Sequence, residues 1–190
     1  MKRGIICIET EWQITKRSNR LNLNTELLIK FIGEVYHVPT IYRRVATLSE
    51  LEFYLKQFHK SEYDYSIFYF SFHGDTQSIH LEGDNCDLRL IDLVQKSNDL
   101  FRNKYVHFSS CRTLLGSIEK LSKIHQDSNA KVLSGYTKQV DSYLSAIHDI
   151  ALMGEYLSSS KIQAMFERMA KLYGGLEQKL GFRHFPLFSE

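Results

Sequence analysis

Cysteine is scarce, with Cys7, Cys86 and Cys111 the only three in a chain of 190 residues. An odd number, so widely spaced, makes no disulfide framework, and the expected setting is reducing and cytoplasmic. Metal-ligand spacing is lacking as well. No C-x2-C or H-x3-H pattern joins Cys111, Cys86, His73, His80 or His107, so no structural metal site is expected and no cofactor is called for. No apolar run reaches the roughly 18 residues that span a bilayer. The opening Met1-Lys2-Arg3-Gly4-Ile5-Ile6-Cys7-Ile8 starts basic, but Glu9 cuts its apolar run short and no small-residue cleavage site follows. It reads as a first strand. No glycine-rich turn follows Ile8, which excludes a dinucleotide-binding Rossmann motif. Lys and Arg (24) nearly balance Asp and Glu (22), and the pairs Lys16-Arg17 and Arg43-Arg44 are too small for a nucleic-acid surface. Neither a membrane nor a nucleic acid is an expected partner.

Two short stretches stand out instead. Ser66-Ile67-Phe68-Tyr69-Phe70-Ser71-Phe72 is an apolar, aromatic run of strand length that ends in His73-Gly74. Lys104-Tyr105-Val106-His107-Phe108 ends in Ser109-Ser110-Cys111. Near-continuous apolar runs of this kind are what strands buried in a parallel sheet look like. In open α/β sheets, ligands bind beyond the carboxyl ends of such strands. If the two strands are neighbours, a thiol and an imidazole emerge side by side.

The rest of the chain supplies the sheet. Gly4 to Glu9 and Thr40 to Ala46 read as strands, and Lys131 to Gly135 as a fifth parallel strand in which Gly135 permits a sharp turn. A long polar loop is expected from Thr10 to Asn24. Helices are expected over Thr25 to Tyr36, with Asn24 as cap and Leu28, Phe31, Ile32 and Val35 on one face, and after the capping-box sequence Thr47-Leu48-Ser49-Glu50. A hairpin follows the histidine, pairing Ser78 to Leu81 with Asp87 to Leu90 around Glu82-Gly83-Asp84-Asn85. A helix over Ile91 to Phe101 comes next, and another after Cys111 carries Leu114, Ile118 and Leu121. Ser142 and Ser160 are the expected caps of two further helices, the second packing Met165, Phe166 and Met169 and halting at Gly174-Gly175. Strands alternating with helices predict one α/β domain over residues 1–190. It is a three-layer sandwich on a mainly parallel five- to six-stranded sheet, with residues 170–190 packed on it as a helix and tail. The fifth strand could be an open edge for pairing with another chain, and the oligomeric state stays open.

The pairing of His73 with Cys111 points to acyl transfer. A free thiol is mostly protonated at neutral pH, and it becomes a nucleophile beside an imidazole or a helix N-terminus. The strand-to-helix passage at Cys111 offers both, and the N–H groups of Gly74 and Cys111 are placed to form an oxyanion hole. His80 reads as exposed, and His107, inside a strand, as a packed and satisfied histidine.

The order of apolar run, His-Gly, hairpin, apolar run, small residue and Cys resembles the signature of the caspase-like (clan CD) cysteine peptidases, and within them the CHAT type. The motif Ser109-Ser110-Cys111-Arg112-Thr113 is similar to Ser-Ala-Cys-x-Thr-Gly, with Leu114 where the glycine would fall. Val132-Leu133-Ser134-Gly135-Tyr136 followed by Val140-Asp141-Ser142 resembles the downstream strand and helix start. The likeness covers about Tyr63 to Leu157. It implies a caspase-haemoglobinase fold and an endopeptidase with a His73–Cys111 dyad, working through a thioester acyl-enzyme on a peptide or protein. It also implies a microbial defence or cell-death setting with an activating protein partner. Caspases that cut after Asp carry Gln two residues before the cysteine, and metacaspases carry Asp. Ser109 stands there, so neither specificity transfers. Asp141 either faces the pocket before the scissile bond, favouring Arg or Lys, or is a helix-start acid. The alternative is a catalytically silent binding or signalling module on the same sheet.

Overall fold

A computed structural model describes residues 2–11 and 25–188. Its frame is a six-stranded sheet. β1 (Lys2–Thr10), β2 (Thr40–Val45), β3 (Tyr65–Ser71), β7 (Tyr105–Phe108), β8 (Val132–Tyr136) and β9 (Phe182–Phe185) stand in the order β2-β1-β3-β7-β8-β9. The first five run parallel, and β9 joins β8 antiparallel. A smaller antiparallel sheet, β4 (His73–Asp75), β5 (Ser78–Leu81) and β6 (Cys86–Arg89), rises from the end of β3.

The central strands are apolar on both faces because both are covered. On one face Phe68, Phe70, Val106 and Phe108 pack with Leu51 and Leu55 of α2 (Leu48–Gln57), Leu93 of α3 (Leu90–Ser97) and Leu121 of α4 (Ile118–Ser128). On the other, Ile5, Cys7, Ile67 and Tyr105 pack with Ile29 and Ile32 of α1 (Glu26–Tyr36). Leu152 and Met153 of α5 (Ser142–Ser158) and Met165 and Phe166 of α6 (Ile162–Leu180) complete that face. Side chains two apart share a face, so each strand feeds two cores at once. The result is an α/β three-layer arrangement.

Several local expectations give way. The inward face of α1 holds Ile29, Ile32 and Gly33, while Phe31 and Val35 are exposed, because the helix meets the sheet one position away from the stripe of largest side chains. The Asn24 cap and nearly all of the 10–24 loop lie outside the described residues. Leu90 opens α3, which ends at Ser97 on a left-handed Asn98, well short of Phe101. The caps of α5 and α6 fall on Asp141 and Lys161 in place of Ser142 and Ser160. Helix α6 runs through Gly174 and Gly175, where the other contacts of the helix outweigh glycine's poor propensity, and stops at Gly181 with φ 67°. Gly135 lies inside β8 and makes no turn. An added Cβ there would sit 2.9 Å from the Phe108 carbonyl oxygen, so the glycine serves close strand packing. The fifth parallel strand is not an edge, because β9 covers it. The capping box at Thr47 and Glu50 is present as expected.

Candidate functional site

β3 and β7 are direct neighbours, so His73 and Cys111 leave the sheet at adjacent strand ends. Their pairing continues past the strands: Ser109 N–H donates to the Phe70 carbonyl (2.8 Å), and Phe72 N–H donates to Ser110 Oγ (3.2 Å). The next residues on each side are then in contact. A Cβ on Gly74 would lie 2.5 Å from the Cys111 carbonyl oxygen and 3.0 Å from Ser110 Cβ, so this approach admits only glycine. His73 and Cys111 are both partly exposed.

Cys111 does not sit at a helix N-terminus, contrary to expectation. Residues 111–114 form a turn, Arg112 is left-handed (φ 56°), and α4 begins only at Ile118, capped by Ser117. Leu114 is buried within the turn. The turn is held from three directions. Arg112 and Leu114 N–H groups donate to the carbonyls of Lys138 and Tyr136, Gln77 Nε2 donates to the Leu115 carbonyl, and Arg183 Nη1 donates to the carbonyls of Leu114 and Gly116. The sulfur itself receives the Val140 N–H at 3.4 Å. A backbone donor thus stands where the helix N-terminus was expected.

The hairpin walls the other side. His73 pairs with His80 across β4 and β5, and its Nε2 lies 3.5 Å from Glu82 Oε1 in the turn between β5 and β6. His80 is partly buried, with Nδ1 2.8 Å from Asp87 Oδ1. Asp75 and Arg112 stand 3.9 Å apart beyond Gly74.

Ser109 and Asp141 turn out to be engaged elsewhere. The Asp141 carboxylate accepts the N–H groups of Tyr143 and Leu144, both at 3.0 Å, which is the helix-start role. The Ser109 hydroxyl donates to Asp149 Oδ2 at 2.7 Å. Asp149 is fully buried and also receives Tyr69 OH (2.7 Å), Tyr136 OH (2.6 Å) and the His107 ring at 2.8 Å. Burial pushes this carboxyl up, but the charge and hydrogen bonds of His107 and His148 outweigh it and hold the group below the usual carboxylate range. His107 also meets Ser134 Oγ at 2.9 Å and is the satisfied histidine expected.

Sequence reasoning missed both Glu82 and Asp149. Nothing in a turn sequence shows which hairpin residue reaches back to the preceding strand. Asp149 had a signal: it follows Ser145 by one helical turn on a face that continues into Leu152 and Tyr156, and a carboxylate there needs partners. Among the described residues, no group of three or more His, Cys, Asp or Glu side chains could hold a metal ion, and no helix is long and apolar enough to cross a membrane. A surface hollow of about 530 Å³, lined by Val94, Asn98, Arg102 and Asn129 among others, lies toward the opposite end of the strands from Cys111.

A family model described as a family of unknown function, DUF6642, matches residues 2–185. No curated protein matches the chain.

Proposed function

The chain belongs to the DUF6642 family, and from the geometry of its strand ends we propose that it is a cysteine endopeptidase of the caspase-like, CHAT kind, acting through His73 and Cys111. The observation that carries the reading is the contact of Gly74 with the Cys111 backbone at the ends of two adjacent parallel strands. In this reading His73 takes the thiol proton of Cys111, and the sulfur attacks a peptide carbonyl carbon. The new C–S bond pushes the carbonyl electron pair onto oxygen, which the N–H groups of Gly74 and Cys111 receive. That pair returns, the C–N bond breaks, and the departing nitrogen takes the proton from His73. Water then attacks the thioester, His73 removing its proton, and the C–S bond breaks to release a carboxylic acid and restore the thiol. The substrate is a peptide or protein, and dependence on an activating protein partner belongs to the same proposal.

A second reading, a catalytically silent module, draws support from the late start of α4, which leaves Cys111 without a helix N-terminus. An electrophilic acyloxymethyl-ketone or iodoacetamide probe separates the two. A peptidase labels at Cys111 faster than a free thiol, slows in His73→Ala, and digests a mixed peptide library that Cys111→Ala leaves intact. Labelling at the free-thiol rate, indifferent to His73, leaves only the silent module.

A further inference from the structure

We propose that Glu82 is a positioning residue for His73, making a three-membered Cys111–His73–Glu82 relay; the proposal rests on the cysteine-peptidase reading above. Glu82 Oε1 stands 3.5 Å from His73 Nε2, and the carboxylate is only about a quarter exposed (23%). A carboxylate at Nε2 selects the tautomer with its proton on that nitrogen. Nδ1 then keeps the lone pair that removes the thiol proton, and the resulting imidazolium faces a negative charge. The separation is long for a hydrogen bond, as catalytic contacts without substrate often are, and it closes as the ring becomes charged.

The turn that carries Glu82 is itself fixed. Gly83 N–H donates to the Ala46 carbonyl at 2.7 Å, and a Cβ on Gly83 would come within 2.8 Å of that oxygen. Asp84 Oδ2 accepts the Leu48 N–H at 2.6 Å, where α2 begins. The two residues after Glu82 are therefore clamped to the loop between β2 and α2, and the carboxylate cannot swing away with a mobile hairpin tip. Its neighbours have other partners: His80 is paired with Asp87 at 2.8 Å, and Asp75 faces Arg112 at 3.9 Å. Among the described residues, Glu82 is a carboxylate paired with the His73 ring.

The test is the pH dependence of Cys111 carbamidomethylation by iodoacetamide, read by peptide mass spectrometry on the intact chain. Fully buried Cys7 serves in the same samples as the marker of folding. Glu82→Gln is expected to slow Cys111 labelling near neutral pH by about tenfold, while labelling converges with wild type in alkali, where the thiol ionises unaided. Glu82→Asp recovers part of the loss, and His80→Gln changes nothing. Nitrogen-15 shifts of the His73 ring in the unmutated protein give an independent reading, with the proton on Nε2 expected. A Glu82→Gln profile that matches wild type while His73→Ala is slowed overturns the role of Glu82 and leaves the dyad standing. A proton on Nδ1 in wild type overturns it as well. If His73→Ala matches wild type, the peptidase reading falls and the relay falls with it.

Discussion

His73 and His107 each face a carboxylate, Glu82 at 3.5 Å and Asp149 at 2.8 Å, and the two pairs arise within a few residues of neighbouring strand ends. Their surroundings differ completely. Both members of the His107–Asp149 pair are fully buried, whereas the His73 side chain is 39% exposed. Asp149 has four donors within 2.8 Å, a saturated carboxylate with no capacity left for a substrate. A buried charge of this sort holds only because every lone pair is used, and it locks β3, β7 and β8 against α5. At the rim the contacts are longer and the groups are open to solvent, so a reacting molecule can enter. In the proposed reading, the same chemical pair serves order in one place and chemistry in the other.

Asp149→Ala should show the largest effect. It takes the shared carboxylate partner from the Tyr69, Tyr136 and Ser109 hydroxyls and from His107, and the expected loss is about 3–5 kcal/mol in urea unfolding. Asp149→Asn should lose less, while His73→Ala and Cys111→Ala should leave the unfolding midpoint nearly unmoved. Equal losses at the rim would end the division into two roles. The pH profile sharpens the test. The folded-state pKa of Asp149 is depressed, so its contribution is complete above the unfolded value of about 4 and is lost as pH falls toward the folded value. His148 is shifted the other way: burial lowers it, but hydrogen bonds to Asp149 and Glu177 win and raise it. Its contribution is complete below the unfolded value of about 6.5 and is lost as pH rises through the folded one. Unfolding midpoints of Asp149→Asn and His148→Gln across acid and neutral pH check the two limbs separately.

The rim was the more legible half in the sequence. Aromatic runs ending in His73-Gly74 and Cys111 stated the strands and their direction, because a strand buried on both faces leaves a continuous apolar signature. The hairpin was legible through its alternation. The buried network was not, since it joins Tyr69, His107, Ser134, Tyr136 and Asp149 from three strands and a helix, and no local pattern encodes such a meeting. The helix expected at Cys111 failed for a related reason. Leu114 keeps helical spacing with Ile118 and Leu121, yet it is buried by the turn itself, while Ile118 is 54% exposed. The closing strand β9 was too short and too polar at Arg183 and His184 to announce itself.

Gly74→Ala is expected to rank next. Its new methyl would meet the Cys111 carbonyl at 2.5 Å, and the two strand ends must part to admit it. The cost should be about 1–3 kcal/mol, with Cys111 labelling reduced well beyond what that loss of stability explains. Unchanged labelling would mean that the close approach of the two ends serves packing only, and the rim would then resemble the interior.

The smallest effect falls on a residue that touches both regions. Ser109 donates to Asp149, yet it stands two positions before Cys111 on the same strand exit. Ser109→Ala removes one neutral donor from a carboxylate that keeps its other partners, and the expected loss is about 1 kcal/mol. If network and rim are separate devices, Cys111 labelling should stay within about twofold of wild type, the scatter expected for independent sites. A much larger drop, with stability still falling by only that amount, would make the buried carboxylate part of what aims the thiol. The loss of a single hydroxyl then decides whether α5 merely supports the strand ends or sets their geometry.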